Sequence, residues 1–469
     1  MTLIEKIQNL FPRPVDIPAA LLSDIPCIQK GYLVNGEIRV WDGPRQEVLS
    51  PVWVAGDASP TPFFIGEYPL LTEAQAFQAL DAAVGWFLVG SDEQVAGEGK
   101  ASNLRGRGGA GFPCGVKWGF LAPATPHYLV INADESEPGT FKDREIMESN
   151  PFQFLEGVAI ASYAVGANAA YVYLRGEFWQ VAAILDDKIA EMEEAGYLGK
   201  DLFGTDYSLK IYTHLGAGAY ICGEETAMLE SLEGKRGQPR VRPPFPPSYG
   251  LYGKPTIVNN VETLTNVPLI LANGADWYKK MGTADSAGVK IFSLSGRVRK
   301  PGNYELPFGT TFRELIYTHG GGVQDSHKVK AIMPAGASSS LILVDDDKIL
   351  DTPMDYASVR TIGGDLGSAS VIVVDETVSI DWLINKTIHF FRHESCGKCT
   401  TCREGTYWMS HLTERIHEGH GKTEDVDLLL NVAKQMQGKC LCALGEFSTM
   451  AVVTGIERFR KDFDKAVKA

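Results

Sequence analysis

Tyr128–Thr140 reads YLVINADESEPGT. The first six residues are apolar, aromatic and β-branched apart from Asn132, which reads as a buried strand. The strand stops at Asp134, where a loop begins with three carboxylates in four residues, Asp134, Glu135 and Glu137. Downstream, FKDREIMES and FQFLEGVAIASYAVG read as helices and AAYVYLRG as a second strand. FWQVAAILDDKIAEMEEAGYLG is an amphipathic helix with Val181, Ile184, Leu185, Ile189 and Met192 on one face and a glycine at its end. SLKIYTHLG is a third strand and AYICGEETAMLESLEG a further helix. This alternation implies an α/β fold, a largely parallel sheet covered on both faces.

Ligands of such folds sit beyond the carboxyl ends of the strands. Asn132, Asp134, Glu135, Ser136 and Glu137 are therefore expected to line a crevice. Carboxylates repel a bare phosphate but accept hydrogen bonds from ribityl or ribose hydroxyls. After the third strand, GAGAYICGEETA brings Glu224 and Glu225 to the same edge. VNNVET places Asn259 and Asn260 at a helix start, suited either to a phosphate or to capping the helix.

Upstream lies LRGRGGAGFPCG, whose Gly106–Gly111 stretch fits G-x-G-x-x-G. The dinucleotide fingerprint needs a strand before it and a helix after it. Here polar residues precede it, and Pro113 and Gly115 are expected to resist a helix. Five glycines between Gly106 and Gly115 still let backbone approach a phosphate or a ring, and Lys117 adds a point charge. QPRVRPPFPPSYGLYGKP is a stiff, turn-rich loop.

The flanks read differently. Residues 1–95 show turn signals and one helical stretch, LTEAQAFQALDAAVGWFL over 71–88. They are expected to be a partner-contacting extension. Residues from 288 to about 376 read as short strands around one helix, a small α+β domain. From Ile380 onward four helices with cysteines at their turns imply a helical bundle.

Five of the eight cysteines lie between Cys396 and Cys442, too clustered for a disulfide framework. SCGKCTTCREG, Ser395–Gly405, spaces Cys396, Cys399 and Cys402 for three corners of one cubane iron–sulfur cluster. Cys440 and Cys442 both offer a fourth thiolate. Structural zinc in a non-redox scaffold is the alternative. It fits less well, because the second half is C-x-C and His411 and His417 stand six apart. A formal net charge of −14 over 469 residues excludes nucleic acid as a natural partner. No run of about 18 apolar residues appears, so no membrane span is expected. The first residues, MTLIEKIQNLFPRPVD, lack the apolar core of a secretory signal, which points to the cytoplasm.

Taken together, LRGRGGAGFPCGVKW, NADESEPGTFKDRE, GAGAYICGEETAMLESLEGKRGQPR, PPFP, GLYGKPTIVNNVETL, ESCGKCTTCREGT and CLCALG are similar, in order, to the NADH-oxidising flavoprotein subunit of respiratory complex I. The same module serves NAD-reducing hydrogenases, NAD-linked formate dehydrogenases and multi-subunit tungsten aldehyde oxidoreductases. The resemblance covers residues 96–460. It implies a Rossmann-like flavin and NAD(H) domain over 96–285, a ubiquitin-like β-grasp (SLBB-like) domain over 286–376 and an iron–sulfur bundle over 377–469. It implies a flavin (FMN, with FAD as the variant), NAD(H) as substrate and one [4Fe–4S] cluster. By motif position, the flavin contacts would be Gly106, Arg107, Gly109, Lys117, Asn132, Asp134, Ser136, Tyr220, Glu224, Asn259 and Asn260. The nucleotide contacts would be Phe112, Phe120, Glu137, Glu225, Arg242 and Phe245, with Glu137, Glu224 and Glu225 positioning groups rather than an acid or base. The cluster ligands would be Cys396, Cys399, Cys402 and Cys442.

The chain departs from the family pattern at four positions. Cys114 and Cys440 stand where Thr or Ser is usual, Arg242 replaces Lys, and Thr401 replaces Pro. The accessory cluster domains of larger relatives have no counterpart cysteines here. Electrons are therefore expected to pass to or from another iron–sulfur or metal-cofactor subunit of a hydrogenase, formate dehydrogenase or tungsten aldehyde oxidoreductase type. A respiratory NADH:quinone oxidoreductase is the alternative.

Overall fold

Four parallel strands carry the carboxyl edge that the sequence points to. The computed structural model describes residues 91–467 and, before them, the backbone of β1 (Cys27–Ile28), β2 (Gly31–Val34), β3 (Glu37–Val40), β4 (Arg45–Val54) and β5 (Thr61–Pro69). Residues 1–82 and 83–469 are two separate units. In the first, β5 lies between β1 and β4, and β2 pairs with β3. The helix expected over 71–88 lies outside the described residues, as does most of the expected partner-contacting extension.

In the second unit the order is α1 (Asp92–Ala101), α2 (Cys114–Trp118), β6 (His127–Ala133), α3 (Lys142–Ser149), α4 (Pro151–Ala164), β7 (Ala167–Leu174), α5 (Trp179–Glu194), β8 (Lys210–Leu215), α6 (Glu225–Leu232), β9 (Thr256–Asn260) and α7 (Val261–Thr265). The sheet order is β8-β7-β6-β9, parallel throughout. Register sets Asn132 opposite Tyr173 on one side and Asn260 on the other, so all four strands end together. β9 is a fourth strand where the sequence leads one to expect only a helix start. It is five residues long, follows the proline-rich loop and ends in two asparagines, which hides its pattern.

Alternation along the strands divides the side chains between two layers. Val130, Tyr173 and Val258 pack with Met228 and Leu229 of α6. Leu129, Ile131, Val172 and Leu174 are buried on the other face, which α4 and α5 cover. Of the expected face of α5, Val181, Leu185, Ile189 and Met192 are buried and Ile184 is half-buried. Each such aliphatic side chain contributes roughly 1.5–3 kcal/mol on burial.

The chain continues through α8 (Val267–Asn273) and α9 (Ala275–Lys279) into a second sheet. It contains β10 (Val289–Gly296), β11 (Gly302–Pro307), β12 (Val329–Met333), β13 (Ile342–Leu343) and β14 (Ser370–Asp375), in the order β11-β10-β14-β12-β13. The helix expected there is a six-residue π-helical segment, Glu314–His319, with a short α10 (Tyr356–Thr361) added. Last come α11 (Ile380–Glu394), α12 (Thr400–His417), α13 (Thr423–Met436) and α14 (Ala443–Ala466). Ile384, Ile388, Met409, Leu429, Val452 and Ile456 form their common core, which Ala331 and Val374 of the second sheet join. The layer of the first sheet that holds Val130 also includes Phe391, Cys402 and Leu444, so sheet and bundle share a core.

Candidate functional site

Asn132, at the end of β6, donates from Nδ2 to the Gly223 carbonyl (2.8 Å) and accepts the Asp134 amide at Oδ1 (3.2 Å). Asp134 is buried, and Ser136 Oγ donates to its Oδ2 at 3.3 Å. Its Oδ1 is buried with no donor. Burial raises the Asp134 carboxyl to about 8. A buried carboxyl oxygen without a donor suits a ligand hydroxyl. Glu137 accepts from Tyr220 OH (2.7 Å) and from the Ser338 amide (2.8 Å), and burial raises it to about 7. Glu135 departs from expectation. It turns away from the crevice and caps α3, accepting the Asp143 (2.7 Å) and Arg144 (2.9 Å) amides, because that helix start has no other side-chain cap.

The glycine loop closes on itself through Gly106 N–H to Phe112 O, 2.9 Å. Among the described residues nothing accepts the Gly108 or Gly109 amides, and Gly109 has φ +142° with open space where a Cβ would stand. Unfilled amides beside open space fit a ring or phosphate. Arg107 joins the loop through its backbone. Its guanidinium is fully buried in the opposite direction, 4.5 Å from the Phe308 ring centre, and donates to Tyr278 OH and Ala287 O. Pro113 and Gly115 do not prevent a helix. Pro113 is the cap of α2, and Gly115 is needed for packing, since a Cβ there would lie 2.4 Å from the Lys100 amide nitrogen. Phe112 and Phe120 stand 5.9 Å apart and 45% and 56% exposed.

Of the two asparagines, only Asn260 takes a role considered for them, the helix cap. Asn260 caps α7, accepting the Glu262 amide (3.1 Å), and donates to Asp143 Oδ2 (2.7 Å). Asn259 is buried behind the loop, accepting from Trp118 Nε1 (3.0 Å) and donating to Cys114 Sγ (3.4 Å). Burial raises the Cys114 thiol to about 12, so it stays neutral. Glu224 caps α6 by accepting the Thr226 and Ala227 amides. Glu225 lies 3.0 Å from Arg242 Nη1 and 3.9 Å from Lys117 Nζ, and the Arg242 guanidinium lies 6.0 Å from the Phe245 ring centre. Lys117, Glu224, Glu225, Arg242 and Phe245 thus form one charged lip.

Tyr220 joins this crevice to the bundle. Its amide donates to Glu394 Oε2 (3.0 Å), and its ring packs on Phe390 and Phe391. The next residue, Ile221, lines a cavity with Pro239, Cys396, Cys399, Cys402 and Cys442. Cys399 and Cys442 are the N-terminal caps of α12 and α14, so two helix dipoles favour negative charge there. Burial holds the Cys402 and Cys442 thiols up at about 12 and 11, so a metal must displace their protons on binding. Four thiols around one cavity supply the Cys₄ set that an iron–sulfur cluster takes. Cys440 does not line it. Its Sγ faces the Met436 carbonyl at 3.6 Å and lies where a Cβ on Gly445 would fall. Ser338 and Tyr356, whose hydroxyl reaches the Gly106 carbonyl, gave no sequence signal, being joined to the site only by the fold, while Glu394 lies in the quoted ESCGKCTTCREGT motif but was assigned no role.

Family models match three stretches: the Nuo51 FMN-binding domain over 100–269, the SLBB domain over 291–337 and the NADH-ubiquinone oxidoreductase-F iron-sulfur binding region over 382–466. The chain is 45% identical over 426 residues to the NADH-quinone oxidoreductase F subunit of Mycobacterium tuberculosis, covering 90% of this chain and 93% of that one. It is 48% identical over 389 residues to the NADH-quinone oxidoreductase F 2 subunit of Rhizobium meliloti, covering 82% and 91%. Among solved structures it is similar to an NAD+-reducing [NiFe]-hydrogenase in the H2-reduced state, with TM-score 0.76 and 34% identity over 84% of this chain. It spans 64% of the length of that hydrogenase chain. This chain therefore belongs to the family of NADH-quinone oxidoreductase F subunits, as an NADH-dependent oxidoreductase subunit whose cofactors are FMN and a [4Fe–4S] cluster.

Proposed function

We propose that the chain is a diaphorase that exchanges a hydride between NAD(H) and FMN and relays single electrons through its cluster to or from a partner oxidoreductase subunit. The observation that carries this reading is the segment Tyr220–Glu224. Tyr220 and Glu224 belong to the crevice while Ile221 lines the thiol cavity, so one stretch of backbone separates the two.

When bound, FMN accepts electrons in pairs and releases them singly, which matches it to a one-electron cluster. The chain's own groups position the reactants. Gly106, Gly109 and the backbone of Arg107 form the flavin cradle, with Lys117, Asn132, Asp134, Ser136, Tyr220, Glu224, Asn259 and Asn260 around it. Phe112, Phe120 and Phe245 offer faces for adenine, and Glu137, Glu225 and Arg242 orient the nucleotide. Cys396, Cys399, Cys402 and Cys442 hold the cluster. On this reading 1–95 contacts a partner, 96–285 binds flavin and nucleotide, 286–376 is a β-grasp domain, and 377–469 carries the cluster.

The partner is of the hydrogenase, formate dehydrogenase or tungsten aldehyde oxidoreductase class, in a cytoplasmic complex. No helix among the described residues is long and apolar enough to cross a membrane. The respiratory arm is the second reading, favoured by the near full-length match to the curated F subunits of NADH-quinone oxidoreductases. Purification of the native complex, with its co-purifying chains and metals identified, decides between them. An absorption spectrum tests the core of the reading. Flavin bands over an iron–sulfur shoulder are expected; stoichiometric zinc with no flavin overturns it.

A further inference from the structure

We infer that Tyr356 is a positioning residue for the flavin, acting through the glycine loop although 250 residues of sequence separate it from Gly106. The inference rests on the flavin reading above.

Tyr356 opens α10, where Asp355 caps the helix by accepting the Ser358 amide at 2.6 Å. Its side chain is held from several sides. The ring packs against Phe308 at 5.8 Å between centroids, and the Arg105 guanidinium lies 5.6 Å from its centre. It also fills the space beneath Gly111, where an added Cβ would come within 2.8 Å of it. So fixed, the hydroxyl donates to the Gly106 carbonyl at 3.0 Å. Burial raises the phenol to about 12, which keeps the donated proton in place at physiological pH.

The other end of that peptide is tied as well, because the Arg107 amide donates to Thr263 Oγ1 at 2.8 Å. One peptide plane is thus clamped at its carbonyl by Tyr356 and at its N–H by α7. Turning it breaks both bonds. The next amides along the chain are those of Gly108 and Gly109, which have no acceptor among the described residues. Between this fixed plane and the Gly108 N–H lie only the two torsions of Arg107, which, unlike a glycine, is confined to few conformations, so the clamp fixes where that N–H points. A second tie across the crevice comes from the same part of the chain, through the Ser338 amide on Glu137 and the Ala337 amide on the Pro138 carbonyl (3.2 Å). Residues of the second sheet region therefore hold both the glycine loop and the acidic loop.

The test uses the FMN-loaded chain and its Tyr356→Phe variant, which loses the hydroxyl but keeps the ring. FMN release on dilution, followed by flavin fluorescence, gives the dissociation constant, and thermal unfolding gives global stability. Loss of one neutral hydrogen bond that orients the site is expected to weaken FMN binding about fivefold, with a fall in the unfolding midpoint of no more than about 2 °C. Tyr356→Ala, which also empties the space under Gly111, is expected to weaken it further. FMN affinity within about twofold of the parent in Tyr356→Phe overturns the inference. So does a loss of FMN that only tracks a fall in the unfolding midpoint, because the residue is then structural. A parent chain that holds no flavin sinks the flavin reading itself and is recognised by its own spectrum.

Discussion

The crevice and the thiol cavity share the segment Tyr220–Glu224 yet are built on opposite plans. The crevice collects loops beyond four strand ends and keeps Phe112, Phe120 and Phe245 about half exposed. Its carboxyls at Asp134 and Glu137 are held by hydrogen bonds, from Ser136 in the same loop and from Tyr220 and Ser338, and neither makes a salt bridge among the described residues. The cavity is made from two helix starts and one tight turn, with Ile221 and Leu444 as apolar wall. A reactant that comes and goes needs an open, polar lip. A resident carrier needs fixed ligands and walls that keep water out.

The largest effect expected tests the cavity. Cys442→Ser abolishes the cluster signal in electron paramagnetic resonance, while Cys440→Ser leaves it intact; the reverse outcome moves the fourth ligand and erases the contrast between the two thiols. Next is the crevice wall. Gly115→Ala destabilises the chain by about 3 kcal/mol in denaturant titration, because its Cβ meets Lys100 backbone that cannot give way. Glu137→Gln lowers NADH–dye reductase activity about tenfold at pH 8 while FMN stays bound, a charge-assisted contact being lost; unchanged kinetics take Glu137 out of the nucleotide site.

The smallest effect comes from Glu156, buried on α4 behind the sheet and away from both sites. Burial raises its carboxyl from 4.5 to about 8. The native state keeps a proton that the unfolded chain has released, so stability falls as pH rises from 4.5 to 8. Glu156→Gln therefore raises the unfolding midpoint at pH 9 and changes it little at pH 4. The pH dependence that remains belongs to carboxyls such as Asp134 and Glu137.

The α/β alternation was readable because strands buried on both faces leave unbroken apolar runs, as in Leu129–Ile131. The three-cysteine turn was readable because its spacing is local. Spacing alone left Cys440 and Cys442 open, and only the resemblance of CLCALG favoured Cys442. In the structure Cys442 lines the cavity, while the Cys440 sulfur packs against Gly445. Gly115 misled because it serves a close approach to α1 rather than a turn. Glu135 was placed in the crevice by its neighbours, whereas an uncapped helix start claimed its carboxylate. Tyr356 carries no pattern at all, since its role arises from a contact 250 residues away in sequence.

The half-exposed rings of the crevice have a consequence for the direction of electron flow. On the proposed stacking they read adenine, which oxidised and reduced nucleotide share. The two forms then compete for one landing surface, and neither is turned away by shape. Once the site is saturated, the ratio of the two forms in the surrounding pool would decide which of them is bound, with product inhibition built into the entrance.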